Sequence, residues 1–202
     1  MSILLSGSSG FLGRAIYNQI SHLEIQSIGR TNSNLILDLR NEIEFPLSFY
    51  GCVIHAAGKA HSVPKTPAEA QAFWDVNVIG TRNLLKALEE HPPQRFVFIS
   101  SVAVYGKSQG HLLNEQTPVL AVDPYGQSKI QAEAEIIDWC RRFDVTCTIL
   151  RLPLIYGENP PGNLQAMIQG IKKGYYFNIA GGQARKSMVR AEDVARFILP
   201  AS

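Results

Sequence analysis

A doubly wound parallel α/β sheet is the fold class to expect of this chain, on three grounds. Short apolar runs alternate with segments of helical periodicity, the pattern of right-handed crossovers that covers both faces of a parallel sheet with helices. The first run, Ile3-Leu4-Leu5, leads directly into Ser6-Gly7-Ser8-Ser9-Gly10-Phe11-Leu12-Gly13, a glycine-rich turn between strand and helix of the kind that holds a dinucleotide. A later run, Arg95-Phe96-Val97-Phe98-Ile99, ends in Ser100-Ser101. Its polar side chains therefore emerge at the carboxyl edge, where open α/β sheets bind ligands.

The periodicities place strands over residues 3–6, 25–28, 35–37, 52–56, 96–100 and 146–150, and helices over 12–20, 68–90, 125–143 and 164–173. The sheet domain is expected over residues 1–157. The Pro- and Gly-rich stretch Gly157-Glu158-Asn159-Pro160-Pro161-Gly162 then leads into a second, partial region over 158–202. At 202 residues and 46% hydrophobic content the chain can build one good core.

Composition excludes several function classes. No apolar run approaches the ~20 residues of a membrane-spanning helix. A net charge of +2 without a basic stripe argues against nucleic-acid binding. The N-terminus enters a strand at once, with no signal peptide or lipidation motif, so a cytoplasmic location is expected. Cys52, Cys140 and Cys147 lack metal-ligand spacing and read as buried structural thiols in a reducing compartment, so no metal site is expected.

Each glycine of the turn has its own steric reason. Gly7 allows the tight bend, Gly10 lets the backbone approach a pyrophosphate, and Gly13 lets helix and strand pack closely. The helix N-terminus presents unpaired amides to the phosphates. The spacing here is G-x-x-G-x-x-G.

Tyr125 and Lys129 form the second motif, within Asp123-Pro124-Tyr125-Gly126-Gln127-Ser128-Lys129. A separation of four residues puts both on one helix face. A free phenol loses its proton near pH ~10, and each unit of downward shift requires roughly 1.4 kcal/mol of anion stabilisation. A lysine cation and an oxidised nicotinamide ring would together supply about three such units.

With these motifs in this order the chain resembles the extended short-chain dehydrogenase/reductases, in particular the NAD(P)-dependent epimerase/dehydratase group acting on nucleotide sugars. His55-Ala56-Ala57-Gly58, Asn77-Val78-Ile79-Gly80-Thr81 and Arg151-Leu152-Pro153-Leu154-Ile155-Tyr156-Gly157 match further. The resemblance implies a Rossmann-type sheet with the beginning of a small, apparently truncated substrate-binding region, since family members continue past this length. It also implies an enzyme with a catalytic set of Ser101, Tyr125 and Lys129. Tyr125 would exchange a proton with a sugar hydroxyl or ketone. Lys129 would lower the tyrosine's pKa and hold the nicotinamide ribose, and Ser101 would donate to the reacting oxygen. Ser100 would face the cofactor.

For the cofactor, the resemblance implies contacts from Gly7, Ser9, Gly10, Phe11, Leu12 and Gly13, then Asp38, Leu39, Ala56, Ala57, Gly58 and Asn77, and finally Pro153 with Tyr125 and Lys129. Arg30 stands after the second strand, where an acidic residue would accept from the ribose of NAD and an arginine can pair with the 2′-phosphate of NADP. The reading favours NADP, with NAD beside a solvated Arg30 as the alternative. For Asp38 the alternative is a surface cap.

The implied substrate is a nucleotide-diphosphate sugar, contacted by Lys59, Ser101, Asn163 and Arg185. His61 would line the same cleft or sit in a plain loop, and His55 reads as a satisfied strand-end histidine. Lys186 departs from the acidic residue that many relatives carry after the arginine. The implied reaction is epimerisation or 4-ketoreduction at sugar C4. Sugar 4,6-dehydratases carry Thr-Asp-Glu where this chain has Ser101-Val102-Ala103, so water elimination is not expected. A non-catalytic dinucleotide-binding module (redox sensor or scaffold) and a reductase of small non-sugar ketones are the other readings. Family members often dimerise through four helices, a contact that residues 68–90 and 125–143 would form.

Overall fold

Strand β1 (Ser2–Ser6) runs at the centre of a six-stranded sheet, flanked by β2 (Glu24–Gly29) and β4 (Cys52–His55). This computed structural model describes residues 2–60, 63–175 and 185–201, without the side chains of 163 and 199–201. With β3 (Leu35–Ile36), β5 (Arg95–Ser101) and β6 (Thr146–Leu152) the order is β3-β2-β1-β4-β5-β6, and every pairing is parallel. The expected doubly wound, Rossmann-type sheet is the one observed. The chain moves outward from β1 to β3 and restarts at β4 on the other side of β1. The β1/β4 boundary is therefore the switch point at which such sheets open a crevice.

Strand alternation divides the apolar residues between two layers. Leu4, Val53, Phe96 and Phe98 pack on α3 (Gly80–Ala87) and α4 (Pro124–Arg142) through Leu84, Ala132, Ile136 and Trp139. Ile3, Leu5, Cys52, Ile54 and Val97 pack on α1 (Phe11–Ile20) and α6 (Ala191–Ala201) through Ile16, Ile20, Ala195 and Ile198. Burial on both faces explains why these strands read as unbroken apolar runs. Cys52 and Cys140 are buried and Cys147 half-buried, all as free thiols.

The helix expected over 68–90 is divided. α2 (Pro67–Trp74) passes through a π-turn at Asp75–Ile79 before α3 begins. The wide turn follows from local bonding: the Gly80 amide reaches back five residues to the Asp75 carbonyl, and the Thr81 hydroxyl donates to the Asn77 carbonyl at 2.7 Å. The rod ends at Ala87, whose carbonyl accepts the Leu47 amide at 2.8 Å. α5 (Gly162–Lys172) and a two-stranded parallel pair, β7 (Leu154–Tyr156) with β8 (Met188–Arg190), lie beyond the sheet. Neither short strand carries enough residues for a periodic signal. Among the described residues no helix is long and apolar enough to cross a membrane.

Candidate active site

The glycine turn sits at the switch point and is sterically closed. Gly7 has φ +75°, and a Cβ there would stand 2.6 Å from the Ala57 amide nitrogen, across the β1/β4 boundary. A Cβ on Gly13 would stand 1.9 Å from the Gly7 carbonyl oxygen, whereas one on Gly10 would meet that oxygen at 3.2 Å. Gly10 caps α1 without a side-chain bond, so the first-turn amides of Phe11, Leu12 and Gly13 carry the positive end of the helix into the crevice. Ser8, Ser9, Arg14, Tyr17, Ser27, Asn32, Ser33 and Asn34 line a cleft of about 420 Å³ beside the turn. Arg14, which the sequence reading did not single out, donates to the Ser9 carbonyl at 2.8 Å.

Arg30 is exposed at the end of β2. Its charge acts on Asp38, but the main partner of Asp38 is Arg40, whose guanidinium meets both carboxylate oxygens at 2.5–3.0 Å and whose amide donates to Oδ1 at 3.1 Å. These bonds hold the carboxyl below the usual range for aspartate. Asp38 thus closes a local turn with Arg40. Leu39 is buried against Gly80, and its carbonyl accepts from Asn83 at 2.8 Å.

A buried polar chain joins β1, β4 and the π-turn. The Ala57 amide donates to Ser6 Oγ at 3.1 Å, Ser6 Oγ meets His55 Nδ1 at 2.6 Å, and His55 Nε2 meets Thr81 Oγ1 at 2.9 Å. The Thr81 proton already goes to the Asn77 carbonyl. The ring therefore donates from Nε2, and once burial makes it neutral Nδ1 accepts the Ser6 proton. Burial, with the Lys129 charge beside it, drives the His55 pKa down to about 3. His55 is a satisfied strand-end residue.

Asn77 is the crossing point of this region. Its Oδ1 accepts the Lys59 amide at 2.7 Å, while its Nδ2 donates to the Lys59 carbonyl at 3.1 Å and to Ser128 Oγ at 2.9 Å. The loop after β4 is thereby tied to α4. A Cβ on Gly58 would lie 3.3 Å from Lys129 Nζ and 3.2 Å from Asn77 Oδ1, so a side chain here would press on both of these buried polar groups. The Lys59 ammonium lies 5.4 Å over the Phe73 ring.

Ser101 ends β5, Tyr125 opens α4, and Lys129 reaches back to the Ile99 carbonyl of β5. Ser101 Oγ accepts the Ala103 amide at 3.1 Å and opens a 3-10 turn at Val102–Tyr105. Asp123 caps α4 by accepting the Gly126 amide at 2.9 Å, with Pro124 in the first turn. Burial raises the Tyr125 pKa above that of a free phenol; a hydrogen bond with Ser101 pulls it down, and the Asp123 charge raises it further. The Lys129 ammonium donates to the Ile99 carbonyl at 2.9 Å, lies 4.5 Å over the Phe98 ring, and is drawn down to about pKa 8 by burial, with Glu133 opposing.

Ser100 corrects an expectation. Strand alternation turns it to the α4 side, where its hydroxyl donates to Glu133 Oε1 at 2.5 Å, so it faces the helix and not a cofactor. Glu133 and Arg151 were missed as site-region residues. The available signal was the spacing Tyr125, Lys129, Glu133, which continues one helix face by steps of four.

The remaining expected positions are dispersed. Pro153 joins β6 to β7, half-exposed. Arg185 is exposed ahead of β8. Asn163 falls in the first turn of α5, but its side chain, like all of His61 and the segment 181–184, lies outside the described residues. Among the described residues no cluster of three His, Cys, Asp or Glu side chains could hold a metal.

A sequence model described as "NAD dependent epimerase/dehydratase family" matches residues 3–201. A curated Escherichia coli O157:H7 relative, N-acetyl-alpha-D-glucosaminyl-diphospho-ditrans,octacis-undecaprenol 4-epimerase, is 31% identical over 98% of this chain and 62% of its own length. A Vibrio cholerae UDP-glucose 4-epimerase is 29% identical over 86% of this chain and 57% of its own. The chain thus spans about three fifths of the length of these two relatives. The crystal structure of a Bacillus cereus UDP-glucuronic acid 4-epimerase mutant, in complex with NAD and UDP-4-deoxy-4-fluoro-glucuronic acid, superposes with a TM-score of 0.83. It shares 21% identity, over 100% of this chain and 73% of its own, and so bears on the fold alone.

Proposed function

Because this chain belongs to the NAD dependent epimerase/dehydratase family, we propose that it binds a nicotinamide dinucleotide at the switch point and performs proton transfer coupled to hydride transfer at C4 of a diphosphate-linked sugar, as an epimerase or 4-ketoreductase. The observation that carries the reading is the placing of Ser101 at the end of β5, where it pulls the pKa of the buried Tyr125 phenol down against burial, with Lys129 one turn along the same helix. The residues fit such a cofactor. The turn has no room for side chains at Gly7 and Gly13, α1 offers free amides, and Gly58 keeps side-chain bulk off the Lys129 ammonium.

Bound NAD(P) supplies hydride acceptance and return. Ser101 orients the sugar oxygen, and Tyr125 takes its proton and gives it back. The buried phenol needs positive charge beside it before it reaches working pH, and the Lys129 cation is the nearest source on its helix face. Gly7, Ser9, Gly10, Phe11, Leu12 and Gly13 would hold the phosphates, with Asp38 and Leu39 beside the adenine, and Ala56, Ala57, Gly58, Asn77 and Pro153 beside the nicotinamide half. Arg30 favours NADP, because the turn Gly29-Arg30-Thr31-Asn32-Ser33-Asn34 contains no carboxylate to bind ribose hydroxyls and Arg14 and Ser33 line the adjoining cleft. Lys59, Asn163 and Arg185 would contact the substrate.

Tyr125→Phe is the test. Turnover should fall to background while cofactor affinity stays within a few-fold; retained turnover removes the phenol from the chemistry.

A second reading concerns the carrier on the diphosphate. Leu112 and Val122 are each 85% exposed and Leu120 is 63% exposed. They lie in a loop bonded to the Val102–Tyr105 turn through the Leu120 amide and the Tyr105 hydroxyl. An apolar rim beside Ser101 suits a polyprenol better than a nucleoside. Turnover of N-acetylglucosaminyl-diphospho-undecaprenol in vesicles but not of UDP-N-acetylglucosamine would select this reading; the reverse would remove it. A homodimer contact would run through the helices of residues 68–90 and 125–143, which sedimentation equilibrium would test.

A further inference from the structure

Glu133 is a carboxylate with 4% of its surface exposed, one helical turn beyond Lys129. The Ser100 hydroxyl donates to its Oε1 at 2.5 Å. Arg151, from β6, closes on both oxygens, with Nε at 3.1 and 3.2 Å and Nη2 at 2.8 Å. The other arm of the guanidinium, Nη1, donates to the Tyr105 hydroxyl at 3.3 Å and to the Glu115 carbonyl at 3.4 Å. Tyr105 in turn donates to the Asn114 carbonyl at 3.0 Å. One buried carboxylate on α4 therefore grips the strand end next to Ser101 and, through one guanidinium, the loop that packs on the Ser101-capped turn.

We propose that Glu133 and Arg151 are positioning residues. Glu133 keeps the end of β5, with Ser101, in register with the Tyr125–Lys129 face, and Arg151 extends that hold to the Asn114–Glu115 loop at the sugar side. The role of each group rests on the proposed function; the clamp itself does not. A packed apolar pair would serve stability as well as a buried ion pair, because desolvation offsets most of the Coulomb attraction. What an apolar pair lacks is direction. Bidentate bonds fix orientation, and here they fix it between four segments.

The Glu133 charge also acts on Lys129 one turn back along α4. Around that ammonium stand Glu133 on its own helix, neutral His55 on β4, Asn77 from the π-turn beside Gly58, and the Ile99 carbonyl and Phe98 ring on β5. Of these Glu133 is the carboxylate that offsets the cost of burying the Lys129 charge.

The test compares Glu133→Gln, Tyr105→Phe and Ser100→Ala with the wild type in two measurements: the pH titration of the Lys129 ε-methylene carbon by NMR, and kcat and KM for the diphosphosugar. Glu133→Gln should move the Lys129 midpoint down by ~1 pH unit and lower kcat roughly tenfold through lost alignment. Tyr105→Phe should leave the midpoint in place and raise KM several-fold with kcat nearly constant, because only the loop end is released. An unmoved midpoint in Glu133→Gln, or the same change in kcat and KM from both variants, overturns the proposal. If Glu133→Gln does not fold, Ser100→Ala decides, since it leaves the ion pair intact. Its kcat should fall with KM unchanged, and an undiminished kcat overturns the clamp. A wild type without turnover defeats the proposed function, whereas the titration still judges the clamp.

Discussion

Gly13 and Gly7 touch so closely that a methyl group on Gly13 would stand 1.9 Å from the Gly7 carbonyl oxygen. Gly10, midway between them, would place a methyl 3.2 Å from the same oxygen. The two positions should therefore respond differently. Gly13→Ala forces backbone apart at the switch point, and overpacking of this kind costs about 1–3 kcal/mol; chemical denaturation should show it. Gly10→Ala should leave stability within about 1 kcal/mol while weakening NAD(P) binding in calorimetry, because its methyl group would block the approach of phosphate. Equal loss of stability in both variants would count against this division of roles.

Asn77→Ala removes three hydrogen bonds from a residue 1% exposed. The Lys59 amide would lose its acceptor, and a donor left unsatisfied costs roughly 1–3 kcal/mol. The expected outcome is that loss in urea unfolding, accompanied by weaker cofactor binding as the loop after β4 comes free of α4. Loss of stability with unchanged binding would confine Asn77 to a structural role.

His55 makes stability depend on pH in a stated direction. Its folded pKa is about 3, against 6.5 for the free ring. Between those values the unfolded chain binds the proton that the folded chain refuses, so stability falls as pH drops below about 6.5, by up to ~1.4 kcal/mol per unit. Lys129 acts in the same sense higher up, since its folded pKa of about 8 lies below the ordinary 10.5; stability should rise with pH between those values. Denaturation midpoints of wild type and His55→Gln across pH 4–7 should converge toward the acid end.

Arg30→Asp should exchange cofactor preference, with NADP affinity falling at least tenfold and NAD affinity rising. The new carboxylate would repel a 2′-phosphate and accept from ribose hydroxyls. Fluorescence titration with both reduced cofactors measures the ratio. If the variant binds NADPH as the wild type does, Arg14 and Ser33 in the adjoining cleft are the next residues to change.

The sheet was legible because local rules and the global fold agree. Apolar runs mark β1, β4 and β5, the glycine spacing marks the turn after β1, and Asp123-Pro124 marks the start of α4. The π-turn was not legible. Residues 68–90 carry helical periodicity throughout, and only the bond from the Thr81 side chain to the Asn77 carbonyl, together with the cross-links from Asn77 to Lys59 and Ser128, reveals the widened turn.

Local sequence thus decided the order of strands and helices, the closed glycine turn, and the placing of Tyr125 and Lys129 on one helix face, because each depends on neighbours within a few residues. The tertiary fold decided which groups act on one another. It turned Ser100 toward Glu133, joined His55 to Thr81, aimed Lys129 at the Ile99 carbonyl, and brought Arg151 to Glu133 across eighteen residues. The physical reason is that hydrogen bonds and buried charges depend on distance in space, and that distance exists only once parallel strands from separate parts of the chain lie side by side.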